Sequence, residues 1–165
     1  IDDDDCMVSI AKYFLDFTVE ESCGKCAPCR IGNKRLHELL ERLCEGKGIP
    51  EDIDRLQNLS NVIKDTSLCG LGQSSPNPVL STMQYFMNEY DAHINDKKCP
   101  AGECKALMSY SINEENCVGC TACARACPVG AISGERKELH TIDQDICIKC
   151  GACFEKCKFD AVEIK

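Results

Sequence analysis

The sequence has no tryptophan, and only four tyrosines and five phenylalanines in 165 residues. So few aromatics exclude a large apolar core, and small domains without one need another organising element, such as bound metal. No apolar run approaches the roughly 20 residues of a membrane-spanning helix, and no stretch reads as a secretory signal. Neither membrane insertion nor export is expected. Basic residues are scarce as well: 19 Lys and Arg stand against 27 Asp and Glu, for a formal net charge of −8. That balance disfavours nucleic acid, whose binding depends on neutralising phosphates. It suits docking onto basic surfaces of redox partners. There is no Gly-x-Gly-x-x-Gly after a strand pattern; Gly70-Leu-Gly72 sits beside a cysteine instead. Neither flavin nor nicotinamide is therefore expected to bind these residues. No residue set has the pattern of a catalytic site.

Cysteine is what the chain has in excess, with sixteen residues. That fraction alone suggests a secreted disulfide scaffold, but the spacing argues otherwise. Cys117-Val-Gly-Cys120-Thr-Ala-Cys123-Ala-Arg-Ala-Cys127-Pro128 recurs thirty residues later as Cys147-Ile-Lys-Cys150-Gly-Ala-Cys153-Phe-Glu-Lys-Cys157. This is the bacterial ferredoxin spacing for two 4Fe-4S clusters, in which the fourth cysteine of each run ligates the other cluster. Cys117, Cys120, Cys123 and Cys157 are expected to hold one cluster, and Cys147, Cys150, Cys153 and Cys127 the other. Small residues between the ligands, Gly119, Ala122, Gly151 and Ala152, let backbone N–H groups approach the cluster sulfides, which tunes potential. Paired zinc sites are the alternative, but zinc has no need of three evenly spaced thiolates plus a fourth, twice over. Ligands of this kind must be reduced, which implies a cytoplasmic compartment.

A third group, Cys23-Gly-Lys-Cys26-Ala-Pro-Cys29, lacks a nearby fourth cysteine. Cys69, in the Gly-rich loop Ser67-Leu-Cys69-Gly-Leu-Gly72, is the best candidate for a 4Fe-4S cluster ligand; a structural zinc is the alternative. Apolar periodicity predicts four helices around it. The first spans 7–17, with Met7, Ile10, Ala11, Phe14 and Phe17 inward. The second carries Ile31, Leu36, Leu39, Leu40 and Leu43. The third begins at Pro50, with Ile53, Leu56, Leu59 and Ile63 inward. The fourth runs from Pro76–Pro78 to about His93, with Leu80, Met83, Phe86, Met87 and Tyr90. The expected fold class is α+β: a small four-helix bundle over 1–93, a polar linker over 94–106, and a ferredoxin-like pseudo-twofold (βαβ)2 domain over 107–165.

The segment Glu20-Glu-Ser-Cys23-Gly-Lys-Cys26-Ala-Pro-Cys29-Arg30-Ile-Gly32, with Ser67-Leu-Cys69-Gly-Leu-Gly72, resembles the C-terminal helical domain of the NADH-binding flavoprotein subunit of respiratory complex I. The same domain occurs in NAD-reducing hydrogenases and formate dehydrogenases. The resemblance implies a cluster on Cys23, Cys26, Cys29 and Cys69 that accepts electrons from FMN. Continuation into a two-cluster ferredoxin domain resembles the NADH-oxidising beta subunit of electron-bifurcating iron-only hydrogenases. That implies three 4Fe-4S clusters in an electron relay, FMN and NAD only on an upstream part, and other hydrogenase subunits and ferredoxin as partners. The start Ile1-Asp-Asp-Asp-Asp5 fits a piece of a longer polypeptide. Alternatives are the equivalent subunit of a formate dehydrogenase, a freestanding multi-cluster carrier, or a module whose clusters only stabilise the fold.

Cys6, Cys44, Cys99 and Cys104 remain. Cys6 and Cys44 read as small apolar residues on helix faces. Cys99 and Cys104 follow His93 in a His-x5-Cys-x4-Cys pattern, a candidate zinc site pinning the bundle to the ferredoxin domain. Its fourth ligand could be Cys6, Cys44 or an acidic residue. His37 and His140 are isolated and read as surface histidines.

Overall fold

The structure is a computed structural model that describes residues 5–164. The chain divides into two units, Ile1–Leu107 and Met108–Lys165.

The first unit is helical. Helix α1 (Met7–Glu20) starts at an N-cap, Cys6, whose Sγ accepts the Ser9 N–H at 3.5 Å. The Glu103 carboxylate accepts the Cys6 N–H at 3.1 Å and the Ser9 hydroxyl at 2.9 Å. A negative charge at a helix N-terminus is favourable, so this long-range contact anchors the start of α1. A π-helical turn (Pro28–Gly32) leads into α2 (Asn33–Cys44), followed by α3 (Glu51–Thr66). Asp52 in the first turn of α3 is fully buried. It accepts the Ile49 N–H at 3.1 Å and pairs with Arg55 at 2.9 Å and Arg42 at 3.4 Å. An Asp52→Ala replacement removes the acceptor of the Ile49 N–H and leaves the two guanidiniums without their carboxylate. We expect it to destabilise this unit by about 2 kcal/mol, measured as a lowered urea midpoint at unchanged slope. A loss below about 0.5 kcal/mol would show the cluster to be surface decoration.

Four expectations are revised by the fold of this unit. The region around Cys69 is not a plain loop: Cys69 caps the short helix α4 (Gly70–Ser74). The fourth helix is not continuous. It runs as α5 (Asn77–Tyr85), breaks at Phe86, resumes as α6 (Met87–Asp91) and ends in a second π-helical turn (Ala92–Asp96). The unit is thus a helical cluster rather than four plain rods. The inward face of α1 is Met7, Val8, Ala11 and Leu15, while Phe14 and Phe17 are 45% and 56% exposed. Core leucines Leu36, Leu40, Leu43 and Leu56 pack with Ile63, Val79 and Tyr90, whose hydroxyl bonds Thr82 at 2.8 Å. Residues 94–106 also differ from a free linker. Ile94, Cys99 and Cys104 are buried in this same core, with Leu107 just beyond them.

The second unit contains β1 (Tyr110–Ile112), α7 (Ala122–Ala126), β2 (Ile132–Ser133), β3 (Thr141–Ile142), α8 (Ala152–Lys156) and β4 (Val162–Ile164). The order is strand, helix, strand, twice, as the thirty-residue repeat predicts. The pairing is not that of a parallel βαβ unit. Instead β1 pairs antiparallel with β4, Tyr110 opposite Ile164, and β2 with β3, Ile132 opposite Ile142. The strands of one half pair only with the other half. Strands this short cannot close a sheet within one half, so each half completes the other.

Candidate electron-transfer and metal sites

The repeat places its eight cysteines in two equivalent cavities. One is lined by Cys117, Cys120, Cys123 and Cys157, with Val118, His140 and Phe159. The other is lined by Cys147, Cys150, Cys153 and Cys127, with Tyr110, Val129 and Ile148. In each, three thiols come from one run and the fourth from the other. Local geometry repeats at the offset of thirty. The Ala131 N–H donates to Cys127 Sγ at 3.2 Å, and the Ala161 N–H to Cys157 Sγ at 3.3 Å. Such bonds stabilise thiolate and cluster charge. Burial pushes the Cys123 and Cys153 thiols up, each by the same leading cause. Positions 119, 121, 149 and 151 all take left-handed backbone. At Gly119 the requirement is absolute: a Cβ there would lie 2.5 Å from the Glu138 nitrogen and 2.6 Å from Lys137 backbone. An all-thiol donor set, free of disulfides and fed by backbone N–H groups, fits an iron–sulfur cluster.

The third set comes together at one end of the helical unit. Cys29 lies in the Pro28–Gly32 π-turn and is buried; π-turns concentrate at functional positions. It meets the Ser22 hydroxyl at 3.3 Å and accepts from Asn33 Nδ2 at 3.5 Å. The Ser75 hydroxyl, just past α4, donates to Asn33 Oδ1 at 2.7 Å. Gly72 of α4 approaches so closely that a Cβ would sit 3.1 Å from Cys29 Cβ. Cys26 is pulled below the usual thiol range, first by the backbone N–H of Leu68, the neighbour of Cys69. The two loops therefore meet, with Cys23 and Cys69 exposed at the surface.

A different geometry holds the leftover residues. Cys6, His93, Cys99 and Cys104 are all buried, and their ligand atoms lie within 4.8 Å of one another. Among the described residues this is the one group of three or more Cys, His, Asp or Glu to close so tightly. Cys6 Sγ is 3.4 Å and Cys104 Sγ 3.5 Å from His93 Nε2, and the two sulfurs are 3.8 Å apart. Tetrahedral zinc, with Zn–S about 2.3 Å and Zn–N about 2.0–2.1 Å, sets neighbouring sulfurs about 3.8 Å apart and sulfur to nitrogen about 3.6 Å. His93 Nδ1 donates to the Glu89 carbonyl at 2.7 Å, which turns Nε2 toward the thiols, as metal-ligating histidines require. His93 itself lies in the second π-turn. Of the three candidates for a fourth member, the fold selects Cys6. Glu103 is engaged at the N-terminus of α1, and Cys44 stands beside Cys104 but outside the set. Burial alone would push His93 down. Hydrogen bonds to the Cys6 and Cys99 sulfurs and to the Glu89 carbonyl outweigh it and hold it up at about 10. Cys104 and Cys6 draw Cys99 well below the thiol range, while Cys44, then Cys6 and Cys99, push Cys104 well above it. His37 stays near the surface, 3.6 Å from Asp16. His140 does not: it is 1% exposed.

Residues 9–93 match the family described as the NADH-ubiquinone oxidoreductase-F iron–sulfur binding region, which is just over half of the chain. The chain belongs to that family. This oxidoreductase-F region carries Cys23, Cys26, Cys29, Cys69 and His93, and residues 110–164 match the 4Fe-4S dicluster domain. The NADP-reducing hydrogenase subunit HndC of Solidesulfovibrio fructosivorans is 63% identical over 162 residues, 98% of this chain and 33% of that protein. The alpha subunit of the NAD-reducing hydrogenase HoxS of Cupriavidus necator is 40% identical over 84 residues, 51% of this chain and 14% of that protein. The crystal structure of an NAD+-reducing NiFe hydrogenase in its H2-reduced state superposes with a TM-score of 0.55 at 30% identity, covering 58% of this chain and 16% of that one. The chain thus spans a third or less of the length of these relatives. Among the described residues no helix is long and apolar enough to cross a membrane.

Proposed function

We propose that the chain is an electron relay with three 4Fe-4S clusters, held by Cys23, Cys26, Cys29 and Cys69, by Cys117, Cys120, Cys123 and Cys157, and by Cys147, Cys150, Cys153 and Cys127. One observation carries the reading: each cavity of the second unit draws three thiols from one run and one from the other. Zinc needs no such exchange between runs. The relay serves an NADH-linked hydrogenase-type complex in a reducing, cytoplasmic setting. FMN and NAD sites lie on the part of the protein upstream of these residues, and ferredoxin and hydrogenase subunits are the exchange partners. Each cluster carries one electron at a time, and the flavin converts between one- and two-electron steps. A hydrogenase is favoured over a formate dehydrogenase because the match to a hydrogenase subunit runs through both units, and our reading of it as bifurcating and iron-only rests on the resemblance of the two-cluster extension.

The fourth metal is a structural zinc on Cys6, His93, Cys99 and Cys104. It ties the start of α1 to the segment that leads into the second unit, and it carries no electrons, because zinc has no redox chemistry. Its support is the match between the ligand separations and tetrahedral zinc.

Anaerobically purified protein is expected to hold about twelve irons per chain, in three clusters that dithionite reduces to EPR-active forms. Clusters that stay oxidised in dithionite would overturn the relay and leave a structural role.

A further inference from the structure

The two cavities share one thiol arrangement, and the polar side chain that lines each beside the cysteines differs, while the remaining differences, Val118 against Ile148, Phe159 against Val129 and Val162 against Ile132, exchange one apolar residue for another. At the offset of thirty, Tyr110 of β1 corresponds to His140, the residue before β3. Tyr110 lines the cavity of Cys147, Cys150, Cys153 and Cys127, and a Cβ at Gly151 would lie 3.2 Å from its hydroxyl. His140 lines the cavity of Cys117, Cys120, Cys123 and Cys157. Its ring is buried to 1% exposure, packed where a Cβ at Gly134 would meet it at 2.9 Å. His140 Nδ1 donates to the Glu138 carbonyl at 3.1 Å, since a carbonyl can only accept. Nε2 is buried with no hydrogen-bond partner among the described residues. An orphaned polar atom in a fully buried ring is costly unless something arrives to pair with it.

We propose that His140 is a potential-setting residue, its Nε2 N–H donating to a sulfur of the cluster held by Cys117, Cys120, Cys123 and Cys157. Donation to cluster sulfur stabilises the added electron of the reduced cluster and raises its potential. The twin cluster faces a tyrosine in its place. His140 therefore makes the two halves of a near-symmetric domain unequal, and the cluster beside it is reduced first. Electrons entering the domain rest there before moving on.

This rests on the cluster reading of the two cavities, and the test separates the two. Midpoints are measured by EPR-monitored redox titration on the full chain, with iron content determined on the same samples. His140→Tyr is expected to lower one midpoint by about 59 mV or more, a tenfold shift in a one-electron equilibrium, leaving the other in place and narrowing their separation. His140→Gln keeps an N–H donor on a differently shaped side chain and is expected to fall between. Tyr110→His, in the other cavity, should raise the other midpoint and does not depend on His140 variants folding. Unchanged midpoints in His140→Tyr and Tyr110→His at full iron content would overturn the inference and leave the cluster reading intact. Equal shifts of both clusters would overturn it too, by showing a change in the whole domain. Absence of iron from the wild-type second unit would overturn both.

Discussion

Replacing Cys120 and Cys157 together by alanine is expected to remove one cluster, whereas replacing Cys150 and Cys157 together removes two. The ferredoxin spacing predicts this difference, and the two cavities place the same cysteines together. Cys120 and Cys157 line one cavity although 37 residues separate them, so the second loss falls on a seat already broken. Cys150 and Cys157 belong to the same run but to different cavities. If each run instead bound its own cluster, the outcomes would be reversed. Iron analysis of the two double variants and their parent single variants decides it. About four irons are lost in the first double variant and about eight in the second, with smaller losses if a seat keeps a three-iron form. The non-additivity is the informative quantity, because residues that share one site do not contribute independently.

The grouping of eight cysteines into two cavities is legible because three thiols within seven residues that reach one object write themselves into spacing. The approach of the Cys69 loop to the first triplet is legible only through the helices that return it to that end. Other features fail to show in the sequence for identifiable reasons. Phe14 and Phe17 sit at helical spacing with Met7 and Ala11, yet they face outward. Apolar residues are not obliged to be buried, and Val8 and Leu15 offer an equally good stripe. The break at Phe86 has no glycine or proline to announce it, so apolar spacing runs on through it. His140 looks solitary in the chain. The signal that finds it is the repeat itself, which puts it in register with the cavity-lining Tyr110. Cys6 reads as a small apolar residue because its partners lie 87 and 98 residues away, a pairing that only the fold reveals.

Cys6 also leads to the second large effect. Its replacement by alanine is expected to abolish zinc binding and loosen the whole start of the helical unit. Cys6 caps α1 and is also the member of the proposed zinc set on the N-terminal side, so the proposed metal seat and the helix start share one residue. Structural zinc supplies about 10–16 kcal/mol of apparent binding energy in zinc fingers, much of it folding energy. Losing one of four ligands should weaken zinc by more than about 100-fold, the upper end of what an outer-shell partner alone commands. Even a loss of about 2–3 kcal/mol would lower the melting temperature of a unit this size by about 10 °C or more. Chymotrypsin offers a local readout. Tyr13, Phe14 and Phe17 are exposed on α1, and intact helix is what shields their peptide bonds. Cleavage there should accelerate in Cys6→Ala and in wild-type protein treated with a zinc chelator, with iron content unchanged. Cys44→Ser is the matched control: it removes the thiol beside Cys104 but not a member of the set, and it should keep one zinc per chain. Loss of zinc in Cys44→Ser but not in Cys6→Ala would exchange their roles. Full iron without zinc in wild-type protein would leave the four side chains as a buried hydrogen-bonded cluster. In that case Cys6→Ala should alter stability no more than an ordinary core replacement, and a chelator should change nothing.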